Sequence, residues 1–216
     1  QRFAPAMLLL PLLTAPNLLG GLGGEITVSH YPASWAEADT LMGHGEESVL
    51  MLPWHQYQSY SFTDGRTVHT PGAAYFSRPV ISSDAVELPG LRSASLSPRS
   101  QYLDRLFARS GAIHHLGRFL APLGVQFVVA TVDTDNRETV AWLAEQDDLR
   151  LVLQRDDLVV YESTVDGVGR VAGQRTVRSF DEFVQLVEDG TIGAEAVFID
   201  PTVAATDAVA DTTIDA

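Results

Sequence analysis

Cysteine and lysine are both missing from this 216-residue sequence. Without cysteine there is no disulfide framework, no thiolate metal site and no cysteine nucleophile. The 14 basic residues are all arginine and face 28 acids, for a formal net charge of -14. That excess excludes nucleic acid as a partner, because no basic surface could balance the phosphates. Charge of this kind speaks to solubility and partners, not to fold. What is present is apolar: 45% of the residues are hydrophobic and only 19% charged. A disordered chain is therefore excluded, and the length suits one domain of ordinary size with an appendage.

The two ends differ from the body. Residues 3–19 (FAPAMLLLPLLTAPNLL) carry no charge and approach the length needed to cross a bilayer. Pro5, Pro11 and Pro16 interrupt the run, although membrane helices tolerate proline better than soluble ones. The run reads either as the end of a transmembrane helix or as a packed apolar arm. A start at Gln1 without methionine suggests a piece of a longer protein. If the run spans, Arg2 on its near side places the remainder outside the cytoplasm. The sequence thus divides into an apolar segment with a Gly-rich joint (1–24), an α/β domain (25–200) and an acidic tail (201–216). The GGLGG of residues 20–24 lacks the preceding strand and following helix of a phosphate-binding loop.

Three capping boxes predict helix starts: Ser34 with Glu37, Asp135 with Glu138, and Ser179 with Glu182. Trp35, Ala38, Leu41 and Met42 share the first helix's apolar face. Val140, Trp142 and Leu143 mark the second helix. Phe183, Leu186 and Val187 mark the third, stopped by Gly190. A further helical region covers residues 99–122 and breaks at Ser110-Gly111. Residues 48–54, 125–132, 149–153, 158–161 and 196–199 read as strands, the third and fourth as a hairpin turned by residues 154–157. Residues 57–96 hold short strands and loops, with 78–81 the best strand candidate. This alternation predicts an α/β layered domain with a mixed sheet and flanking helices.

Few residues point to chemistry. His30, His44, His55, His69, His114 and His115 lack the spacing that sets two ligands on one helix face. No GxSxG elbow exists. Asp133, Asp135 and Arg137 imitate half a calcium loop, but arginine occupies a ligand position and the distal glutamate is missing. No catalytic residue, metal site or cofactor is expected. The segment LPWHQYQSY (residues 52–60) is the exception. A buried strand ends there and releases Trp54, His55, Tyr57 and Tyr60, aromatic and polar groups on which a sugar could stack. Strand ends are where α/β domains bind ligands. Arg78 and Asp84 lie in the same weakly periodic stretch and join the candidate set. Packing is the ordinary alternative for all six.

The order of several motifs carries a resemblance. YPASWAEADTLM (31–42) is followed by VLMLPWHQYQSYSFTDGRTVHTPGAAYF (49–76), RPVISSD (78–84), LGVQFVVATVD (123–133) and LRLVLQRDDLVVYE (149–162). This series is similar to the extracytoplasmic C-terminal portion of polytopic actinobacterial and archaeal membrane proteins that resemble GT-C-type glycosyltransferases. The similarity spans residues 15–162, and no single motif is specific alone. It implies an accessory domain at the cell membrane's extracytoplasmic face. Its implied partners are the membrane-embedded part of the same polypeptide and an acceptor glycan or polyprenyl-phosphate-linked sugar. It assigns no catalytic residue, since the catalytic acid of such enzymes lies in an early loop between membrane helices. Two readings from other classes compete: a non-catalytic cell-envelope binding or assembly module, and an independent soluble α/β hydrolase.

Overall fold

The computed structural model describes residues 29–88, 91–132, 136–193 and 195–199. The apolar run, its Gly-rich joint, the proposed Asp135 cap and the acidic tail lie outside the described residues. The chain divides between Tyr31 and Pro32, and the following concerns the second unit alone. Among the described residues no helix is long and apolar enough to cross a membrane.

Helix α1 (Ala33–Met42) precedes strand β1 (Ser48–Leu52). A small hairpin, β2 (Tyr57–Ser59) and β3 (Thr67–His69), leads to the short helix α2 (Gly72–Tyr75). Strand β4 (Val80–Ile81) and a minimal hairpin, β5 (Glu87–Leu88) and β6 (Leu91–Arg92), follow. Helices α3 (Pro98–Phe107) and α4 (Leu116–Leu120) lead into β7 (Val125–Thr131) and α5 (Arg137–Ala144). A second hairpin, β8 (Leu149–Gln154) and β9 (Leu158–Ser163), comes next. Strand β10 (Gly173–Val177), helix α6 (Phe180–Glu188) and strand β11 (Glu195–Ile199) complete the described order.

Five strands form a mixed sheet in the order β4-β1-β7-β9-β8. β4, β1 and β7 run parallel, while β9 is antiparallel to both β7 and β8. Side chains alternate across this sheet with period two. Val49, Met51, Phe127, Val129, Leu158 and Val160 point to one face, where they meet Trp35, Ala38 and Met42 of α1. Leu50, Leu52, Val128, Ala130, Val159 and Tyr161 point to the other, against α3, α4, α5 and α6. Strands covered on both faces need apolar residues at every position, which is why residues 49–52, 127–130 and 158–161 of β1, β7 and β9 read as hydrophobic runs.

The boundaries depart from expectation in places. The candidate strand 78–81 shortens to β4, since Arg78 is drawn into side-chain bonds and Pro79 has no amide for a ladder. β11 pairs in parallel with β10 as a separate ribbon. β10 carries a weak signal because only Val177 in it is buried. The Ser34 capping box does not form. The helix starts two residues earlier, after Pro32, and Ser34 Oγ donates to Asp157 across the sheet's end. Glu37, assigned to that box, instead accepts from Arg155 in the turn between β8 and β9. Leu41 is 40% exposed and leaves the face it was assigned to. The third box does form: Ser179 Oγ accepts from the Glu182 amide at 3.1 Å. Its return arm reaches one residue further back, where Glu182 accepts from the Arg178 amide. Gly190, at φ 77°, ends that helix as expected.

Helix α3 has a cap that the sequence reading lacks: Ser97 Oγ accepts from the Ser100 amide, with Pro98 at the first helical position. The start of α4 is capped from a distance. The amides of His114 and His115 donate to Glu188, that of Leu116 to Gln146, and those of Gly117 and Arg118 to Asp148. Burial pushes the Asp148 carboxyl above its usual range in spite of those two amides.

Trp35 is 1% exposed and stacks on Phe76 at 5.3 Å with Tyr60, Phe62 and Tyr75 edge-on around it. Trp35→Ala is expected to cost about 3–5 kcal/mol. Leu41→Ala on the same helix should change stability by about 0.5 kcal/mol or less. Urea unfolding followed by circular dichroism measures both, and equal losses would contradict this packing.

Candidate functional site

Because β1 and β7 are parallel, their C-terminal ends emerge on the same side of the sheet. The chain leaves β1 for β4 on one flank and returns from β4 to β7 on the other. The end of β1 is thus a topological switch point, where the two following connections part and leave a crevice. A cleft of about 350 Å³ occupies it, lined by Leu52, Pro53, Trp54, His55, Phe107, Ser110, Glu138, Thr139 and Trp142. The lining comes from the segment after β1, the end of α3 and the turn beyond it, and the first two turns of α5.

The aromatic groups of this cleft are fixed. Trp54 Nε1 donates to Asp104 Oδ1 on α3 at 2.7 Å. Trp142 Nε1 donates to the Ile113 carbonyl at 3.3 Å. Phe107 sits between the two indoles, 5.4 Å from Trp54 and 6.1 Å from Trp142 by ring centroids. Both indole N–H groups are therefore satisfied within the protein, so the rings offer a ligand apolar faces and no donors. His55 is half exposed and its Nδ1 pairs with Glu87 of β5. Ser110 and Thr139 add hydroxyls. Ser110 makes no hydrogen bond to His55 among the described residues, so no hydroxyl is coupled to the His55–Glu87 pair as a nucleophile would be to its base. Among the described residues no group of three or more His, Asp or Glu side chains could hold a metal ion.

The six residues singled out in the sequence take different places. Trp54 and His55 come together on the cleft wall. Tyr57 stands on the neighbouring hairpin, edge-on to His69, its cross-strand partner. Tyr60 is 2% exposed and belongs to the core, stacked on Phe62 and accepting from Gln58. It lies apart from the cleft wall, since the chain turns inward at Tyr60 to cover Trp35. Arg78 lies by the N-terminal ends of β1 and β7, away from the cleft. Its guanidinium donates to the Met42 and Glu47 carbonyls, the Glu47 carboxylate and Gln126. Asp84 accepts from the Leu96 and Ser97 amides just before α3. Both are struts of the fold. Partial burial pushes the Asp84 carboxyl up, but hydrogen bonds from Ser97, Leu96 and Ser100 outweigh it and leave the carboxyl below its usual range.

Sequence reasoning missed Phe107, Ser110, Glu138, Thr139 and Trp142 as cleft residues. Glu138 and Trp142 are four apart on α5 and so share a face. That spacing was legible, but Trp142 reads equally as a core residue beside Leu143.

No protein-family model and no curated protein sequence matches the chain. Its fold is similar to that of arabinofuranosyltransferase AftD from Mycobacteria, solved by single-particle cryo-EM. One such structure aligns with a TM-score of 0.57 at 15% identity, over 86% of this chain and 17% of that chain. A mutant form aligns with a TM-score of 0.56 at 16% identity, over 87% of this chain and 18% of that chain. This chain spans under one fifth of the length of the proteins it matches, and at this identity the likeness is one of fold.

A group whose folded pKa is depressed stabilises the fold above its unfolded value and loses that contribution as pH falls through the folded one. Asp84→Asn is therefore expected to lower stability by about 1 kcal/mol at pH 7. The difference from wild type should shrink below about pH 4, the usual carboxylate range. Urea midpoints between pH 7 and pH 3 test this, and a pH-independent difference would refute it.

Proposed function

We propose that this chain is an accessory, extracytoplasmic domain of a membrane glycosyltransferase-like protein, and that the cleft at the end of β1 is where it contacts sugar. The observation that carries the reading is the coincidence of two independent features. A fold shared with AftD over most of this chain accounts for only a small part of that enzyme, as expected of one domain in a larger protein. In this domain the switch-point crevice, the ordinary ligand position of a parallel α/β sheet, is walled by indole and phenyl rings with hydroxyl and imidazole groups beside them. Flat apolar faces next to hydrogen-bonding groups match the two sides of a sugar ring, its C–H face and its hydroxyl edge.

In this reading the domain holds its ligand and leaves transfer to the membrane-embedded part of the same polypeptide. An acceptor glycan or a polyprenyl-phosphate-linked sugar would fill the cleft. The ordered motifs from Tyr31 to Glu162, which resemble the extracytoplasmic portion of GT-C-like proteins, support the assignment of side and partner. The encoding reading frame is expected to continue upstream of Gln1 through several membrane helices; a frame that begins at Gln1 would overturn that placement.

Binding is tested with methyl glycosides of arabinofuranosyl, mannosyl and glucosyl trisaccharides, titrated calorimetrically into the chain. At least one is expected to bind, and Trp54→Ala should weaken it about tenfold, roughly 1.4 kcal/mol. Arg78→Ala, at the far end of β1, should lower stability but leave the affinity unchanged. No binding by any of the three sugars, or equal losses from both variants, would remove the cleft from consideration.

A further inference from the structure

The cleft's charges distinguish between the two ligands left open above. Three carboxylates stand on or directly behind its wall. Glu138 lines it on α5. Asp104 lies behind Trp54, bonded to its indole nitrogen. Glu87 lies behind His55, paired with its Nδ1. Among the described residues no arginine lines the cleft, and the chain has no lysine. Of the two arginines adjacent in sequence to lining residues, Arg109 pairs with Asp181, and Arg137 lines a separate groove beside α5 and β8. Sites that take phosphate do the opposite, gathering arginine, lysine or free backbone amides around the anion. The indole N–H groups are both occupied within the protein, and where the uncapped first turn of α5 meets the cleft it places the Glu138 carboxylate in the lining.

From this we infer that the cleft selects an uncharged stretch of glycan and turns away sugars that carry phosphate. The inference rests on the reading of the cleft as a sugar site and narrows it to the acceptor side of a transfer reaction. An uncharged ring brings no charge to be repelled, and its hydroxyls are met by groups of matching kind, Ser110, Thr139, His55 and the Glu138 carboxylate as an acceptor. A phosphate held there would face the Glu138 carboxylate with no arginine or lysine among the described lining residues, and it would also lose its hydration. The cleft's volume lies at the lower end of the range for small-molecule sites, about 300–1,000 Å³, so charge anywhere on a bound ring would be felt at Glu138.

The test uses the chain with each methyl trisaccharide above and the same trisaccharide carrying a 1-phosphate at its reducing end, titrated at pH 8. At about 20 mM salt the phosphorylated form is expected to bind at least tenfold more weakly. Raising salt to about 0.5 M should shrink that ratio, because charges near the surface are then screened within a few Å. Glu138→Gln, an exposed change that removes the charge and keeps an acceptor oxygen, should shrink it as well. Equal or tighter binding of the phosphorylated form would overturn the selection and leave the cleft as a sugar site. A ratio that moves with neither salt nor Glu138→Gln would overturn its electrostatic origin. If neither form binds, the underlying reading fails together with the inference.

Discussion

β1 and β7 are adjacent, parallel and covered on both faces, and that single constraint orders the rest of the molecule. Every side chain from Val49 to Leu52 and from Phe127 to Thr131 is buried, and of these only Leu52, at the strand's end, reaches the cleft lining. Chemistry can appear only where the strands end. Since the two strands are parallel and their connections part to opposite flanks, their C-terminal ends leave a crevice without any further device. The cleft beside Trp54 follows from the topology, and the residues after β1 decide what it is made of.

The acidic excess also acquires a structural meaning. Most of the acids in the described region have a partner. Asp148 and Glu188 take four amides at the start of α4, among them the buried Gly117 amide, which would otherwise have no partner. Asp84 takes two amides ahead of α3, and Asp39 takes the Ser77 amide and hydroxyl. Glu37, Glu47, Glu162 and Asp181 pair with arginines. Surface pairs of this kind add little energy each. Asp148 matters more, because removing it strands the buried Gly117 amide at a cost of about 1–3 kcal/mol.

The sequence made the layered α/β class legible because fully buried strands and amphipathic helices have different periods, and both were strong in β1, β7, α3 and α6. It failed where a side chain had two possible partners. Ser34 and Glu37 have the spacing of a capping box, yet Asp157 and Arg155, more than a hundred residues away, offered better bonds. β10 failed because its pattern is mostly polar and only a ribbon partner makes it a strand. At the site, Trp54 and His55 were legible as residues released by a buried strand. Tyr60, six residues after Trp54, carries the same local signal and went to the core. What separates them is long-range: Trp35 of α1 needs an aromatic lid, while Asp104 of α3 holds Trp54 at the surface. Neither partner can be identified by spacing along the chain.

That division of aromatic residues bears on how the cleft would work. Trp54, Phe107 and Trp142 are held in mutual contact and by hydrogen bonds from both indoles, so their orientations are set before any ligand arrives. A preformed aromatic wall avoids the entropy cost of ordering side chains on binding, about 0.5–1.5 kcal/mol for each flexible one. It also gives recognition that depends on ring shape more than on a particular hydroxyl pattern, since no indole donor is free to read one. Within the proposed reading, such a surface suits repeated engagement of a uniform sugar chain. The chain can be gripped at any of its similar units and released readily, while a catalytic centre elsewhere in the protein acts on its end.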